Sequence, residues 1–350
     1  MDKIEIEKYV QEYNKRRHLY KILTEKVANL IEEVLKLKGI NYVNVESRTK
    51  SLESFRNKIS KKIDFSPREM QDLSGIRIIA HTNIEVEKIG RIIKELVKID
   101  ERRSIDKSKS LGIDKVGYKS QHFVATLPEK RTILQEFLPL KGLCFEIQIR
   151  TILQHAWAEM QHDRNYKFSG ILPEEIKRRL SLLAGQLEIA DNEFDRISQE
   201  IEQYSKEVAQ KTEEGDLDIP IDSTSLREYL SNKFKRIKIE NIFGPNDDQA
   251  STIIEELKLM KINKLEDLDR IIPSDLEEKI LQNPKKYNNY LGLLRDILMI
   301  YNAKEYFEKA WRRKWDGIGG EVINLISSYV PNFWSIASEY ITFEEELTRF

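Results

Sequence analysis

In residues 142–151, GLCFEIQIRT, Leu143, Phe145, Ile147 and Ile149 alternate with Cys144, Glu146, Gln148 and Arg150. Alternation of period two marks a half-buried strand. One face is then apolar, and the other sets a carboxylate, an amide and a guanidinium in a row. Wet sheet faces carry charges too, so the stretch gains meaning only from a second one. In MQDLSGIRIIAH, Met70 to His81, Asp72 stands just before a glycine that opens a β-branched run, and Arg77 points away from Ile76, Ile78 and Ala80. If the two strands are neighbours, Asp72 and Glu146 can share a divalent cation. Mg²⁺ suits such a pair, because it takes few carboxylates and keeps positions open for phosphate oxygens.

Basic chemistry lies upstream. SRTKSLESFRNKIS holds Arg48, Lys50, Ser54 and Lys58, follows a strand-like run from Asn41 to Glu46, and opens a helix. Ser54 and Lys58 are four apart and share a helix face, with Lys50 and Lys61 nearby. Lysines and a hydroxyl at a helix start suit a polyphosphate. Taken alone, a solvated basic helix explains these residues better.

Together the blocks carry a resemblance. Arg48-x-Lys50-x3-Ser54-x3-Lys58, Gln71-Asp72-Leu73-Ser74-Gly75-Ile76-Arg77, Gly117-Tyr118-Lys119-Ser120-Gln121-His122, Glu146-Ile147-Gln148-Ile149-Arg150-Thr151, and Trp157-Ala158-Glu159 with His162 and Tyr166-Lys167 stand in the order found in alarmone synthetases. Over roughly residues 1–210 the chain resembles the RelA/SpoT synthetase domain, above all its small single-domain forms. The resemblance implies a pyrophosphokinase that moves the β,γ-pyrophosphate of ATP to the 3′-hydroxyl of GDP or GTP, making (p)ppGpp. It implies that Asp72 and Glu146 hold Mg²⁺ and that Glu146 takes the proton of the attacking hydroxyl. Arg48 and Arg77 would sandwich the adenine, and Lys50, Ser54 and Lys58 would hold the ATP phosphates. Tyr118 would stack on the acceptor guanine; Gln148 would join the catalytic pair and line the acceptor pocket with His122 and Lys115. A planar guanidinium stacks on a purine as lysine cannot.

His155, Glu159, His162 and Tyr166 share one helix face. Their spacing is not that of a zinc helix, and support for the Glu146 strand is the better reading. Cys144 reads as a small buried or edge residue.

These residues need a scaffold. The strands and helices alternate as in an α/β core, for which the resemblance implies a mixed central sheet similar to nucleotidyltransferase architecture, followed by an all-helical C-terminal domain. A long helix is expected over 3–37, strands near 42–47, 75–81, 118–127 and 143–150, and helices near 51–62 and 84–96. The basic segment Asp100 to Val116, with Arg102, Arg103, Lys107, Lys109 and Lys115, reads as a mobile loop or a solvated connection. From Ile176 to Tyr204, Ile176, Leu180, Leu183, Leu187, Ala190, Phe194, Ile197, Ile201 and Tyr204 recur with heptad spacing. That stripe is expected to pack within the chain against the N-terminal helix, with a homodimeric coiled coil as the alternative. The division is 1–212 for the synthetase domain, 213–225 for an acidic Gly/Pro/Ser linker, and 226–350 for the helical domain.

With 58 Lys and Arg against 59 Asp and Glu among 350 residues, the net charge of −1 argues against bulk nucleic-acid neutralisation. One cysteine excludes a disulfide scaffold and fits a reducing cytosol. No apolar run approaches membrane length, so a cytoplasmic protein without membrane contact is expected, and a homo-oligomer is compatible. The C-terminal half leaves a second acceptor open. Some relatives of this family modify the tRNA 3′-CCA end and carry a silencing domain with a Tyr-x-x-Tyr element, and this chain has Tyr287 and Tyr290. Two tyrosines three apart are also an ordinary core pattern. A catalytically dead scaffold is disfavoured, because both carboxylates and the lysine set are present.

Overall fold

The computed structural model describes residues 3–61, 70–106, 120–167, 173–237, 239, 243, 249–282, 287, 289–311 and 318–341. Two compact units, Met1–Ser198 and Gln199–Phe350, divide within a 41-residue helix.

The first unit opens with α1 (Lys3–Leu37), β1 (Asn44–Thr49), α2 (Leu52–Lys61), β2 (Ser74–Ala80) and α3 (Asn83–Leu96). It continues with β3 (Lys98–Ile99), β4 (Ile105–Asp106), β5 (Gln121–Thr126), the short α4 (Glu129–Thr132), β6 (Cys144–Thr151), α5 (Ile152–Lys167) and the first part of α6 (Glu174–Glu214). The sheet order is β1-β2-β6-β5-β3, with β4 also on β5; β2 and β6 run parallel and the other pairs antiparallel. This is the mixed sheet expected.

One face of the sheet is dry. Ile76, Ile78, Phe123, Phe145, Ile147 and Ile149 share a core with Leu23, Val27, Ile31 and Leu35 of α1 and Val86, Ile89 and Ile93 of α3. α3 is well started: Thr82 accepts from the Glu85 amide, and the Glu85 carboxylate returns to the Thr82 amide. Because strand side chains alternate, this dry face forces Arg48, Arg77, Glu146, Gln148 and His122 onto the other one.

Two expectations need correction. The stretch read as a loop from Asp100 is structured at its start, where the Asp100 carboxylate accepts from the Arg102 and Arg103 amides and β4 pairs with β5. Lys107, Lys109, Lys115 and Tyr118 lie outside the described residues. The heptad stripe on α6 does not pack as expected, since Ile176, Leu183, Phe194, Ile197 and Ile201 are exposed. The face of α6 turned inward carries Ala184, Asp191 and Asp195 instead. The physical reason is polar: the loop after β2 and the end of β6 present amides and hydroxyls that carboxylates satisfy and leucines could not.

The second unit holds the rest of α6, then α7 (Ser223–Lys233), α8 (Ala250–Leu259), α9 (Leu265–Ile271), α10 (Leu276–Gln282), α11 (Tyr290–Glu305), a π-helical turn Tyr306–Ala310, α12 (Gly320–Ser327) and α13 (Phe333–Ala337). Ile219 and Ile221, inside the 213–225 stretch read as a linker, are buried in this unit's core. Glu256, wholly buried, takes a bidentate pair from Arg295 at 2.7 and 3.1 Å and a hydroxyl from Tyr306 at 3.1 Å. Tyr287 and Tyr290 are 5% and 4% exposed. Tyr287 donates to Asp296, and Tyr290 donates to the Leu230 carbonyl at 3.2 Å. They are core residues, so neither is placed as an external cover.

Truncating Tyr290 to Ala should therefore cost about 3 kcal/mol or more of stability through the cavity it leaves. A urea melt that moved by less than about 0.5 kcal/mol would remove Tyr290 from the core.

Candidate active site

The register of β1, β2, β6 and β5 lays out two rows on the polar face. Arg48, Gly75, Glu146 and Val124 form one row, and Glu46, Arg77, Gln148 and His122 the next. Gly75 thus leaves a floor without a side chain between Arg48 and Glu146. A Cβ built there would meet only the Arg48 carbonyl at 3.7 Å, an ordinary contact. The opening comes from the missing side chain, with no backbone strain involved.

Glu146 is held on one oxygen. His122 Nδ1 lies 3.0 Å from Glu146 Oε1, and Gln148 Nε2 donates to the same oxygen at 3.2 Å. A carboxylate can only accept, so Nδ1 of His122 carries a proton and donates it. His122 Nε2 is then left buried and without a partner. Arg150, itself buried, donates to Gln148 Oε1 and so fixes the amide's orientation. Burial works against ionisation of Glu146, but the His122 hydrogen bond and charge and the Gln148 amide outweigh it, and its pKa falls below the ordinary value.

Asp72 repeats the pattern. Lys50 Nζ at 2.6 Å and Lys58 Nζ at 2.8 Å both reach Oδ2, while Oδ1 is buried and unpaired. Here too burial opposes the charge, and the two ammonium groups overcome it and lower the pKa. Its charge also acts on Glu146, in the direction that favours protonation. Each carboxylate thus spends one oxygen on the protein and leaves the other without a hydrogen-bond partner among the described residues.

The lysines are positioned by α1. Tyr13 Oη and Arg17 Nε donate to the Lys50 carbonyl at 2.7 and 3.1 Å, and Tyr13 stacks on Phe55 of α2 at 4.6 Å. Thr24 Oγ1 lies 3.2 Å from Thr49 Oγ1 and 2.6 Å from Ser74 Oγ, tying the end of β1 to the start of β2. Ser51 caps α2: its Oγ accepts from the Ser54 amide at 3.1 Å and lies 2.9 Å from Ser54 Oγ. Ser54 therefore sits in the first turn, one turn before Lys58, where a helix N-terminus favours anions.

Arg77 donates to Glu46 at 3.1 Å and Glu159 at 3.0 Å through its edge. A guanidinium held by its edge keeps its face free for stacking. Arg48 is exposed and stands diagonal to Arg77 on the antiparallel pair. Diagonal neighbours lie about 7 Å apart, roughly twice a stacking distance. His155 comes within 4.0 Å of Glu159, and burial together with the Arg77 and Arg150 charges pushes its pKa down. The side chains of His162 and Tyr166 lie outside the described residues.

The structure therefore brings together Arg48, Lys50, Ser54, Lys58, Asp72, Arg77, His122, Glu146 and Gln148; Lys115 and Tyr118 lie outside the described residues. Sequence reasoning gave no role to Tyr13, Thr24, Glu46 or Arg150. Only Arg150 left a signal, as the last polar residue of the alternating strand.

Residues 47–171 match a family model described as a region found in RelA / SpoT proteins. GTP pyrophosphokinase YjbM of Bacillus subtilis (strain 168) is 30% identical over 198 residues, spanning 52% of this chain and 89% of that protein. GTP pyrophosphokinase YwaC of the same organism is 26% identical over 191 residues, spanning 51% and 85%. The solved structure of small alarmone synthetase 1 from Bacillus subtilis superposes with a TM-score of 0.47 at 24% identity, covering 55% of this chain and 98% of that one.

Replacing Asp72 by Asn should cost about 1–3 kcal/mol, because Lys50 is buried and loses its counter-charge. The folded pKa of Asp72 is depressed, so its contribution is fully present above the ordinary carboxylate value and is lost as pH falls through the lower folded one. The melting-temperature gap between wild type and variant should hold from pH 8 to 5 and narrow below about pH 4. A gap that widened in acid would contradict the pairing.

Proposed function

The chain belongs to the RelA/SpoT family and is a diphosphokinase that makes (p)ppGpp, and we propose that it transfers the β,γ-diphosphate of ATP to the 3′-hydroxyl of GDP or GTP. The observation that carries this reading is the pair of carboxylates, each with an unused oxygen, on a sheet face floored by Gly75 and flanked by Lys50, Lys58 and Arg48. The acceptor oxygen bonds to the β-phosphorus, and the bond from that phosphorus to the α,β-bridging oxygen breaks. AMP leaves, and Glu146 takes the hydroxyl proton. A depressed pKa keeps Glu146 anionic at neutral pH and ready to accept.

The residues fit a magnesium ion. Asp72 Oδ1 is an orphaned buried oxygen, and the chain supplies two carboxylates, which matches an ion that fills its other positions with phosphate oxygens and water. When bound, Mg²⁺ supplies charge neutralisation at the transferring phosphates. Arg48 and Arg77 clamp the adenine by their faces, Ser54 and the start of α2 take phosphate oxygens, and His122 Nε2 is the ring atom left to hydrogen-bond the acceptor nucleotide. Without nucleotide, Lys50 and Lys58 neutralise Asp72. The ATP phosphates carry more negative charge and draw the ammonium groups off, so nucleotide arrival frees the metal ligand. The tRNA 3′ end gains no support, since Tyr287 and Tyr290 belong to the second unit's core.

Glu146→Gln should lower turnover of ATP with GDP about a thousandfold, near 4 kcal/mol of barrier, while keeping the fold. Arg48→Ala should raise the KM for ATP about tenfold or more and leave the KM for GDP unchanged. Arg48 is the cleaner probe, as it has no ion pair to lose among the described residues. An assay offering GDP, GTP and deacylated tRNA decides the acceptor; clear preference for tRNA would overturn this reading.

Direct metal binding gives a separate test. Mn²⁺ followed by electron paramagnetic resonance should bind weakly to the nucleotide-free protein and at least tenfold tighter with a non-hydrolysable ATP analogue. Lys58→Gln should tighten nucleotide-free binding several-fold. Equal affinity in all three states would exclude the lysine clamp.

A further inference from the structure

With ATP as donor and GDP or GTP as acceptor, the donor site has to accept one purine and refuse the other. Adenine presents an amino group, a donor, at position 6, where guanine presents a carbonyl oxygen, an acceptor. Stacking on arginine faces does not separate them, because every base has a face to offer. Selection of the donor base therefore falls to groups at the rim of Arg77 that meet the edge of the base.

Arginine is the side chain that most often reads guanine, through a fork of two N–H groups directed at O6 and N7. At Arg77 neither fork is open. Nη1 donates to Glu46 Oε2 at 3.1 Å and to Glu159 Oε1 at 3.0 Å, which takes both of its hydrogens. Nε, which would complete the other fork, is buried. The neighbouring amide is committed as well. Gln148, opposite Arg77 in register, gives its nitrogen to Glu146 and accepts from Arg150 on its oxygen.

The two carboxylates come from different elements. Glu46 faces Arg77 across the antiparallel β1–β2 pair, and Glu159 reaches it from α5. Together they set two negative charges against the single positive charge of Arg77. His155, one turn before Glu159 and 4.0 Å from its Oε1, does not restore the balance, since burial and then the Arg77 charge hold its pKa below the ordinary imidazole value. The side chains of Glu46 and Glu159 are 41% and 54% exposed, so a base on the Arg77 face meets both. The rim of that face is negative and rich in acceptors.

We propose that Glu46 and Glu159 are the specificity-determining residues of the donor site, accepting from the 6-amino group of adenine and repelling the 6-oxygen of guanine. The inference rests on the assignment of the ATP base to the faces of Arg48 and Arg77. A purine with a 6-oxygen sets a lone pair against a carboxylate and finds no open fork on Arg77 in compensation. Sites built to hydrogen-bond one group reject the analogue that lacks it. GTP is thereby kept to the acceptor role by charge, with no steric barrier between two purines of similar size.

Release of labelled nucleoside monophosphate from the donor, at saturating GDP, reads donor choice alone. The full-length protein should use ATP about thirtyfold better than GTP, or more, by kcat/KM. The triphosphate of 2,6-diaminopurine riboside keeps the 6-amino group and should stay within about threefold of ATP, whereas inosine triphosphate carries the 6-oxygen and should fall with GTP. Glu46→Gln and Glu159→Gln each supply an amide that can donate to that oxygen, and each should shrink the ATP-to-GTP ratio about fivefold or more. A merely structural role in holding Arg77 would lower the use of every donor alike and leave the ratio unchanged, which overturns the proposal. Inosine triphosphate serving as well as ATP overturns it too. Failure to release AMP from ATP would instead remove the transfer reaction itself. Selection is then read from the affinities of the α,β-methylene analogues of ATP and GTP at saturating GDP, where equal binding overturns the proposal and preference for the ATP analogue, reduced in both variants, upholds it.

Discussion

The parallel pairing of β2 with β6 is the constraint on which the rest depends. It sets Gly75 beside Glu146 and Arg77 beside Gln148, and it puts Ile76, Ile78, Ile147 and Ile149 on one side. A slip of one residue would exchange the faces, burying Glu146 and Arg77 among Leu23, Val27 and Ile31. An unpaired charge buried there costs several kcal/mol, against about 1 kcal/mol for a single ladder hydrogen bond. The register is therefore held by the cost of the alternatives more than by the ladder itself. β5 extends the same logic by delivering His122 to Glu146.

Around that pair the protein sets each charged group against its own hydrogen-bond or ion-pair partners before any substrate is present. Lys50 and Lys58 close on Asp72, His122 and Gln148 on Glu146, and Glu46 and Glu159 on Arg77. Each contact uses one side of a group and leaves the other side free. Such an arrangement keeps a charged face from collapsing onto itself in the wrong geometry. It also means that substrates must outcompete the protein's own ions, which phosphate groups do by charge number and arginine faces allow by geometry.

The helices contribute in ways that sequence periodicity does not show. α1 looks like a structural helix, yet Tyr13, Arg17 and Thr24 hold the backbone of Lys50 and the ends of β1 and β2. α6 holds the end of β6 with Asp191 and the start of α3 with Asp195. The second unit is organised around its own core, with Glu256, Arg295 and Tyr306 as its polar centre.

Much of this was legible in the chain. Alternation in GLCFEIQIRT and SGIRII assigns both strands and their polar faces, because side-chain direction in a strand is a local property of the backbone. The ordered motifs name Arg48, Lys50, Ser54, Lys58, Asp72, Arg77, His122, Glu146 and Gln148, since each residue type is tied to the chemistry it performs. What only the tertiary structure decided is who meets whom. Asp72 and Lys58 are 14 positions apart, Arg77 and Glu159 82, and Thr24 and Ser74 50; no local rule connects them. The heptads of α6 mislead for the same reason, since periodicity shows that a stripe exists but not which face the neighbouring strand ends require. Tyr287 and Tyr290 likewise become core residues only once α7 and α11 stand beside them, because burial belongs to the packed chain and not to any stretch of it.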